Sequence, residues 1–270
     1  MKKATKIKFD DVCSILSGKR VLVAFSGGVD STVLAHIAKK CAESVSLLTM
    51  VSPTVPESEL IDARAVAEEL GLELNEESFP WLDEQNLSEN LVDRCYTCKK
   101  AQANRWLEHA QSLGTDFVVE GTTATETEGY RPGLAALEEA AVESPYLSVG
   151  ISKEEIREYA RENGLSIAEK PSMACLATRF PYGTEITNER LTMVAAVEEA
   201  VRDIFGVECV RARFHGDLVR VEVGSDELSK MFDPKKLKRL DLAAKDAGFT
   251  YVTLDLQGYR TGAMDEGMST

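Results

Sequence analysis

The apolar run Val21-Leu22-Val23-Ala24-Phe25 feeds directly into Ser26-Gly27-Gly28-Val29-Asp30-Ser31-Thr32, and Val33, Leu34, Ile37 and Ala38 follow at helical spacing. An unbroken apolar run of this length marks a strand buried on both faces of a parallel sheet. A helix is then expected to begin at Asp30 or Ser31. Gly27 and Gly28 leave the backbone free to wrap an anion and to take positive φ. Successive amide hydrogens and the helix N-terminus turn their positive ends toward such an anion. Ser26, Ser31 and Thr32 add hydroxyl donors. Asp30 repels bare phosphate, so its natural task is to hold Mg²⁺ against phosphates. The loop lacks the lysine of the Gly-x-x-x-x-Gly-Lys-Ser/Thr motif. A serine-capped glycine turn is the plain alternative, but strand, loop and helix all agree with a nucleotide phosphate site.

Further strands are expected at 45–51, 72–74 and 117–120, and helices at 57–70, 98–113 and 153–162, the last with Ser152 as N-cap. This alternation predicts an α/β fold with a doubly wound parallel sheet over residues 1–170. Residues 171–187 hold two prolines without a clear period and read as a functional loop or linker. Residues 188–270 read as a smaller α/β domain for substrate binding or oligomerisation. It has a helix at 189–205, alternating strands at 210–214 and 219–223, further helix at 226–247 broken near Pro234, and a strand at 251–256. On its first strand Arg211 and Arg213 share one face. Paired guanidinium groups there suit a phosphate, and a solvated charged face explains them without a ligand.

Lys and Arg total 31 against 45 Asp and Glu, a formal net charge of -14. Such a surface repels polyanions at long range and argues against generic nucleic-acid binding. No apolar run reaches the roughly 18–20 residues that cross a bilayer, and the basic N-terminus lacks the apolar stretch of a secretory signal. The cytoplasm is the expected location. A chain of this size does not need disulfides, so Cys13, Cys41 and Cys209, among apolar neighbours, are expected to be small core residues.

Cys95 and Cys98 stand as Cys-x-x-Cys at the start of an expected helix, a position that favours thiolates, with Lys99 and Lys100 beside them. Cys175 lies in the loop ahead of the second domain. Three cysteines are too few for a closed zinc site but suit a [4Fe-4S] cluster with one iron open. A redox pair, or inert core cysteines, account for the spacing too.

The loop Ser26 to Thr32 resembles the PP-loop of ATP pyrophosphatases, which split ATP into AMP and pyrophosphate. Further stretches are Arg94-Cys95-Tyr96-Thr97-Cys98-Lys99, Gly129-Tyr130-Arg131-Pro132-Gly133, the 170–183 segment, Arg211-Ala212-Arg213-Phe214-His215-Gly216-Asp217 and Leu254-Asp255-Leu256-Gln257-Gly258-Tyr259-Arg260. Together they resemble the LarE family of ATP-dependent sulfur transferases over nearly the whole chain. The resemblance implies a HUP-like ATP pyrophosphatase domain. It also implies adenylation of a carboxylate of pyridinium-3,5-biscarboxylic acid mononucleotide and replacement of an oxygen of that group by sulfur, a step in nickel-pincer nucleotide biosynthesis. ATP would bind at Ser26, Gly27, Gly28, Asp30, Ser31 and Thr32, with Mg²⁺ on Asp30, and Arg211 and Arg213 would take the substrate phosphate. Cys175 matches a sacrificial sulfur donor of some members. With Cys95 and Cys98 present as well, the chain looks like the type that holds [4Fe-4S] and draws on sulfide or another sulfur donor. Glu199 and Glu222 resemble positions near a metal, and both read equally as surface acids. A homo-oligomer is implied by the family's habit. Two competing readings are tRNA thiolation, opposed by the net charge, and amide formation with ammonia, which leaves the cysteines without a purpose.

Overall fold

The computed structural model describes residues 1–127, 132–171 and 174–260, with the side chains of 126, 127 and 132 excluded. In chain order the elements are α1 (Lys3–Leu16), β1 (Arg20–Ala24), α2 (Val29–Cys41), β2 (Ser44–Val51), α3 (Glu57–Leu70), β3 (Leu74–Ser78), α4 (Gln85–Ser88), α5 (Arg94–Leu113) and β4 (Phe117–Val119). They continue as α6 (Pro132–Glu139), α7 (Pro145–Val149), α8 (Lys153–Glu162), α9 (Asn188–Phe205), β5 (Val210–His215), β6 (Leu218–Val223), α10 (Pro234–Asp246) and β7 (Tyr251–Leu254). No helix among the described residues is long and apolar enough to cross a membrane.

The chain divides into two compact units: Met1–Phe79 with Asp93–Ser172, and Pro80–Val92 with Met173–Thr270. Assignment of residues 80–92 to the second unit is a feature the sequence pattern does not reveal, because 81–83 and 85–88 form only short helical turns.

The first unit holds a four-stranded sheet of order β3-β2-β1-β4, parallel throughout. Val21 and Val23 of β1 and Leu47 of β2 are fully buried, as the apolar runs require. Helices cover this sheet with apolar stripes, Phe9, Val12 and Leu16 from α1 and Val33, Leu34 and Ile37 from α2. The third strand begins two residues later than its apolar pattern suggests, at Leu74, and pairs with β2 from Leu47↔Leu74. The basic N-terminal segment, to which no element was assigned from sequence, is a helix.

Cys13 and Cys41 correct an expectation. Rather than separate core thiols they form a disulfide, Cα atoms 5.6 Å apart, joining α1 to the last residue of α2. Both cysteines pack against the core, near the C-terminal ends of two helices that finish side by side ahead of the paired parallel strands β1 and β2. Cys209, half-buried, has its thiol pushed up by burial.

The second unit holds a three-stranded sheet, β5 antiparallel to β6 and β6 parallel to β7. α9 buries Leu191, Val194, Val197 and Val201, and its N-terminus is capped by Thr187 Oγ1, which accepts from the Arg190 amide at 3.2 Å. Asp233 caps α10, accepting from Lys235 and Lys236 amides at 2.8 and 3.2 Å ahead of Pro234 at the first helical position.

Candidate functional site

In the first unit, the chain leaves β1 toward β2 on one side while β4 lies on the other, so the carboxyl end of β1 sits at the switch point where open α/β sheets bind ligands. There the backbone turns through Ser26, Gly27 and Gly28 into α2. Gly27 takes φ +68°, and a Cβ on it would come within 2.6 Å of the Ala63 Cα. Only glycine fits both demands. The turn is held by its own hydroxyls. Ser26 N–H donates to Ser31 Oγ at 3.2 Å, Gly28 N–H donates to Ser26 Oγ at 3.3 Å, and Ser31 Oγ donates to the Gly28 carbonyl at 3.2 Å. Gly121, just past β4, packs on the same turn, where a Cβ would meet Asp30 and Ser31 at 3.1–3.2 Å. The buried Tyr146 hydroxyl donates to the Asp30 carbonyl at 3.2 Å, and burial holds that phenol well above its ordinary pKa.

Lys153, the first residue of α8, forms an ion pair with Asp30 Oδ2. Sequence spacing placed this helix and its Ser152 cap, which the structure completes as a capping box with Glu155, yet did not connect Lys153 to the loop. The available signal was a lysine directly after an N-cap in a chain whose phosphate loop has no lysine of its own. One carboxylate at the mouth of a phosphate-wrapping turn suits Mg²⁺, which binds through one or two carboxylates plus phosphate oxygens.

Cys95 lies in the first turn of α5 and Cys98 one turn on, Cys95 exposed and Cys98 half-buried. The helix starts at Arg94, earlier than its apolar period suggests. Arg94 is buried and its Nη2 lies 3.6 Å from Cys95 Sγ. On the same helix, Tyr96 and Lys100 both donate to Glu139 of α6, at 2.7 and 3.0 Å. Gly133 faces the Cys95 carbonyl, 3.7 Å from where its Cβ would stand. Gly129, Tyr130 and Arg131 of the same motif, like Ser172 and Met173 ahead of Cys175, lie outside the described residues. Two thiols one turn apart suit paired ligation. Among the described residues, however, no group of three or more His, Cys, Asp or Glu side chains is arranged to hold a metal ion.

In the second unit Cys175 is exposed and begins a short helical turn, Leu176–Arg179. Its carbonyl accepts from the Thr178 amide at 3.0 Å, the Thr178 hydroxyl at 2.8 Å and Arg179 Nη1 at 3.4 Å. Arg179 is fully buried and forms a two-pronged pair with Glu198 at 2.6 and 3.1 Å. The face carrying Arg211 and Arg213 is not solvated: both guanidinium groups are buried. Arg213 donates through Nε and Nη2 to Glu222 at 3.0 and 2.8 Å and through Nη1 to the Thr178 carbonyl at 2.9 Å. Arg211 lies over the Tyr259 ring, 4.9 Å from its centroid. Burial, with Arg179 nearby, lowers its pKa from the ordinary arginine value. Glu222, which the sequence allowed as a surface acid, is fully buried, whereas Glu199 is exposed. Its neighbour Glu198 turns inward and was missed. Glu198 lies on the buried stripe of α9, four residues after Val194, where an apolar residue is expected and an acid signals a buried partner.

A sequence profile of the family described as NAD synthase matches residues 6–105, the segment containing the ATP loop. An uncharacterised protein of Synechocystis sp. is 36% identical over 252 residues, covering 91% of this chain and 92% of that protein. The pyridinium-3,5-bisthiocarboxylic acid mononucleotide synthase of Lactiplantibacillus plantarum is 32% identical over 262 residues, covering 96% of this chain and 93% of the synthase. The chain belongs to the LarE family. An uncharacterised protein of Methanocaldococcus jannaschii, 30% identical over 97% of this chain and 98% of its own length, extends the similarity to an archaeon. The LarE assignment makes the chain an ATP-dependent sulfurtransferase of the PP-loop class, and the turn of Gly27 and Gly28 with Asp30 is the part of this structure suited to ATP and Mg²⁺.

Proposed function

We propose that the chain adenylates a carboxylate of pyridinium-3,5-biscarboxylic acid mononucleotide and replaces an oxygen of that group by sulfur. The observation that carries the reading is the ATP loop, a phosphate-wrapping turn at a sheet switch point with a carboxylate at its mouth. In the first step a substrate carboxylate oxygen attacks the α-phosphorus of ATP and pyrophosphate leaves. The turn's amides and hydroxyls would hold the phosphates and Asp30 would hold Mg²⁺, and Lys153 balances the Asp30 charge in this structure. In the second step a sulfur nucleophile attacks the activated carbon, the C–O bond to AMP breaks, and AMP leaves. Cys175 is the exposed thiol of the second unit, and in this reading it supplies or carries the sulfur. Arg211 and Arg213 take the substrate phosphate, and reaching them requires rearrangement of the contacts that now bury them.

Cys95, Cys98 and Cys175 are the residues that would hold a [4Fe-4S] cluster. Such a cluster would supply iron chemistry able to bind sulfide. This reading rests on the cysteine set and on the family. In the alternative, Cys175 gives up its own sulfur and is left as dehydroalanine. The cytoplasm and a homo-oligomer complete the proposal.

The test is anaerobic purification with iron and sulfide analysis, then incubation with ATP, Mg²⁺ and the pyridinium biscarboxylate mononucleotide. Substrate-dependent pyrophosphate release with a thiolated product is expected. Pyrophosphate release indifferent to the substrate would overturn the adenylation step. Protein free of iron that loses the mass of H₂S at Cys175 after turnover would replace the cluster route by the sacrificial one.

A further inference from the structure

We infer that Arg179 and Glu198 are positioning residues that hold the Cys175 turn, an inference that rests on the proposed role of Cys175 in sulfur transfer. A three-residue advance from Cys175 to Thr178 makes one tight turn, too short to fix itself against the rest of the unit. Its anchoring comes from two buried arginines, Arg179 and Arg213. Arg179 Nη1 donates to the Ala174 carbonyl at 3.1 Å, the Cys175 carbonyl at 3.4 Å and Thr178 Oγ1 at 2.9 Å. Its other edge is clamped by Glu198, whose Oε1 also accepts from the Ala212 amide of β5 at 3.0 Å. Arg202 lies 3.3 Å from Glu198 Oε2 one helical turn on. One carboxylate thus ties the turn to both α9 and β5.

Arg213 adds a second anchor, reaching the Thr178 carbonyl while paired with the buried Glu222. Both guanidinium groups grip backbone oxygens and leave Cys175 itself at the surface. A charged pair as deeply buried as Arg179–Glu198 adds little net stability compared with an apolar pair of equal volume. What it adds is directionality: a planar fork with a fixed set of donors defines where two successive carbonyls must be. The geometry therefore fixes the Cα of Cys175 and leaves only its side-chain torsion free. Reacting atoms misplaced by about 1 Å lose on the order of a hundredfold in rate, which is the scale of effect a turn of this kind guards against.

Arg179→Lys is the first test. A lysine still neutralises Glu198 but cannot reach the carbonyls and the carboxylate together. Sulfur transfer is expected to fall about a hundredfold, while affinity for a non-hydrolysable ATP analogue stays at the wild-type value. Alkylation of Cys175 by iodoacetamide, followed by mass spectrometry with Cys209 as internal reference, is expected to change in rate. The second test needs no variant. The Thr178 amide of the wild-type protein, which donates to the Cys175 carbonyl, is expected to exchange hydrogen slowly. Fast exchange at this amide, or a folded Arg179→Lys protein with wild-type transfer and alkylation rates, overturns the inference. The proposed function fails separately, if wild-type protein makes no thiolated product.

Discussion

The ATP loop and the Cys175 turn are both short connections that present a reactive position, and they are built in opposite ways. The loop is made of backbone. Its glycines, amides and nearby hydroxyls lie within seven consecutive residues, and its shape follows from φ at Gly27 and the start of α2. The Cys175 turn is made of buried charge. Its anchors, Glu198, Arg213 and Glu222, come from α9, β5 and β6, and their charges are matched pairwise. A backbone site depends on what can be left out, a charge-built site on what must be supplied in pairs. The two should fail differently under substitution.

The largest contrast is chemical. Cys175→Ala should abolish thiolated product while leaving thermal unfolding unchanged, since the side chain is exposed; thiolated product at wild-type levels would remove Cys175 from the reaction and assign the sulfur to another donor. Next, Glu198→Ala leaves the Arg179 charge buried without its carboxylate and should cost about 3–5 kcal/mol in denaturant unfolding. A loss below about 1 kcal/mol would show that water reaches this pair, and the contrast between the two regions would lapse.

In the loop, Gly27→Ala should cost about 1–3 kcal/mol, because the new methyl meets Ala63 and φ is positive. ATP binding should be lost with it, whereas the Cys175 alkylation rate should not move. Ser152→Ala, which breaks the capping box beside Lys153, should cost about 1 kcal/mol and weaken ATP binding mildly, read by calorimetry.

The smallest effect is a slope. His36 on α2 and His215 on β5 are both held below their ordinary value of 6.5, chiefly by burial. As pH falls through 6.5 the unfolded chain takes up protons first, so stability present above that value is lost below it. Urea midpoints of wild type and His36→Gln, compared between about pH 7.5 and 5.5, should show a shallower slope in the variant. An unchanged slope would assign the acid sensitivity to other groups.

The same contrast explains what could be read from sequence. Ser26 to Thr32 was legible because strand, turn and helix are adjacent and each obeys a local rule. The helix Lys153–Glu162 was legible for the same reason, down to its cap. Its lysine's partner was not, since Asp30 lies on a different element and no period links them. Arg211 and Arg213 were legible as a same-face pair, but whether that face is wet or dry depends on the turn at Thr178, far away in sequence. Glu198 and Glu199 differ by one position, and a helical stripe with one polar member does not say which acid turns inward. The Cys13–Cys41 bond needed the C-terminal ends of α1 and α2 to finish side by side ahead of β1 and β2, which composition alone gave no reason to expect.

One contact made by the loop reaches beyond its motif. Gly27 lies so close to the Ala63 backbone on α3 that Gly27 has no room for a side chain, and Ala63 is itself buried against it. Ala63 thus behaves as an unwritten letter of the phosphate signature, placed on a helix that shows no other sign of belonging to it. Across relatives of this protein, the two sites are expected to stay small together, or to enlarge only where α3 moves away from the sheet edge.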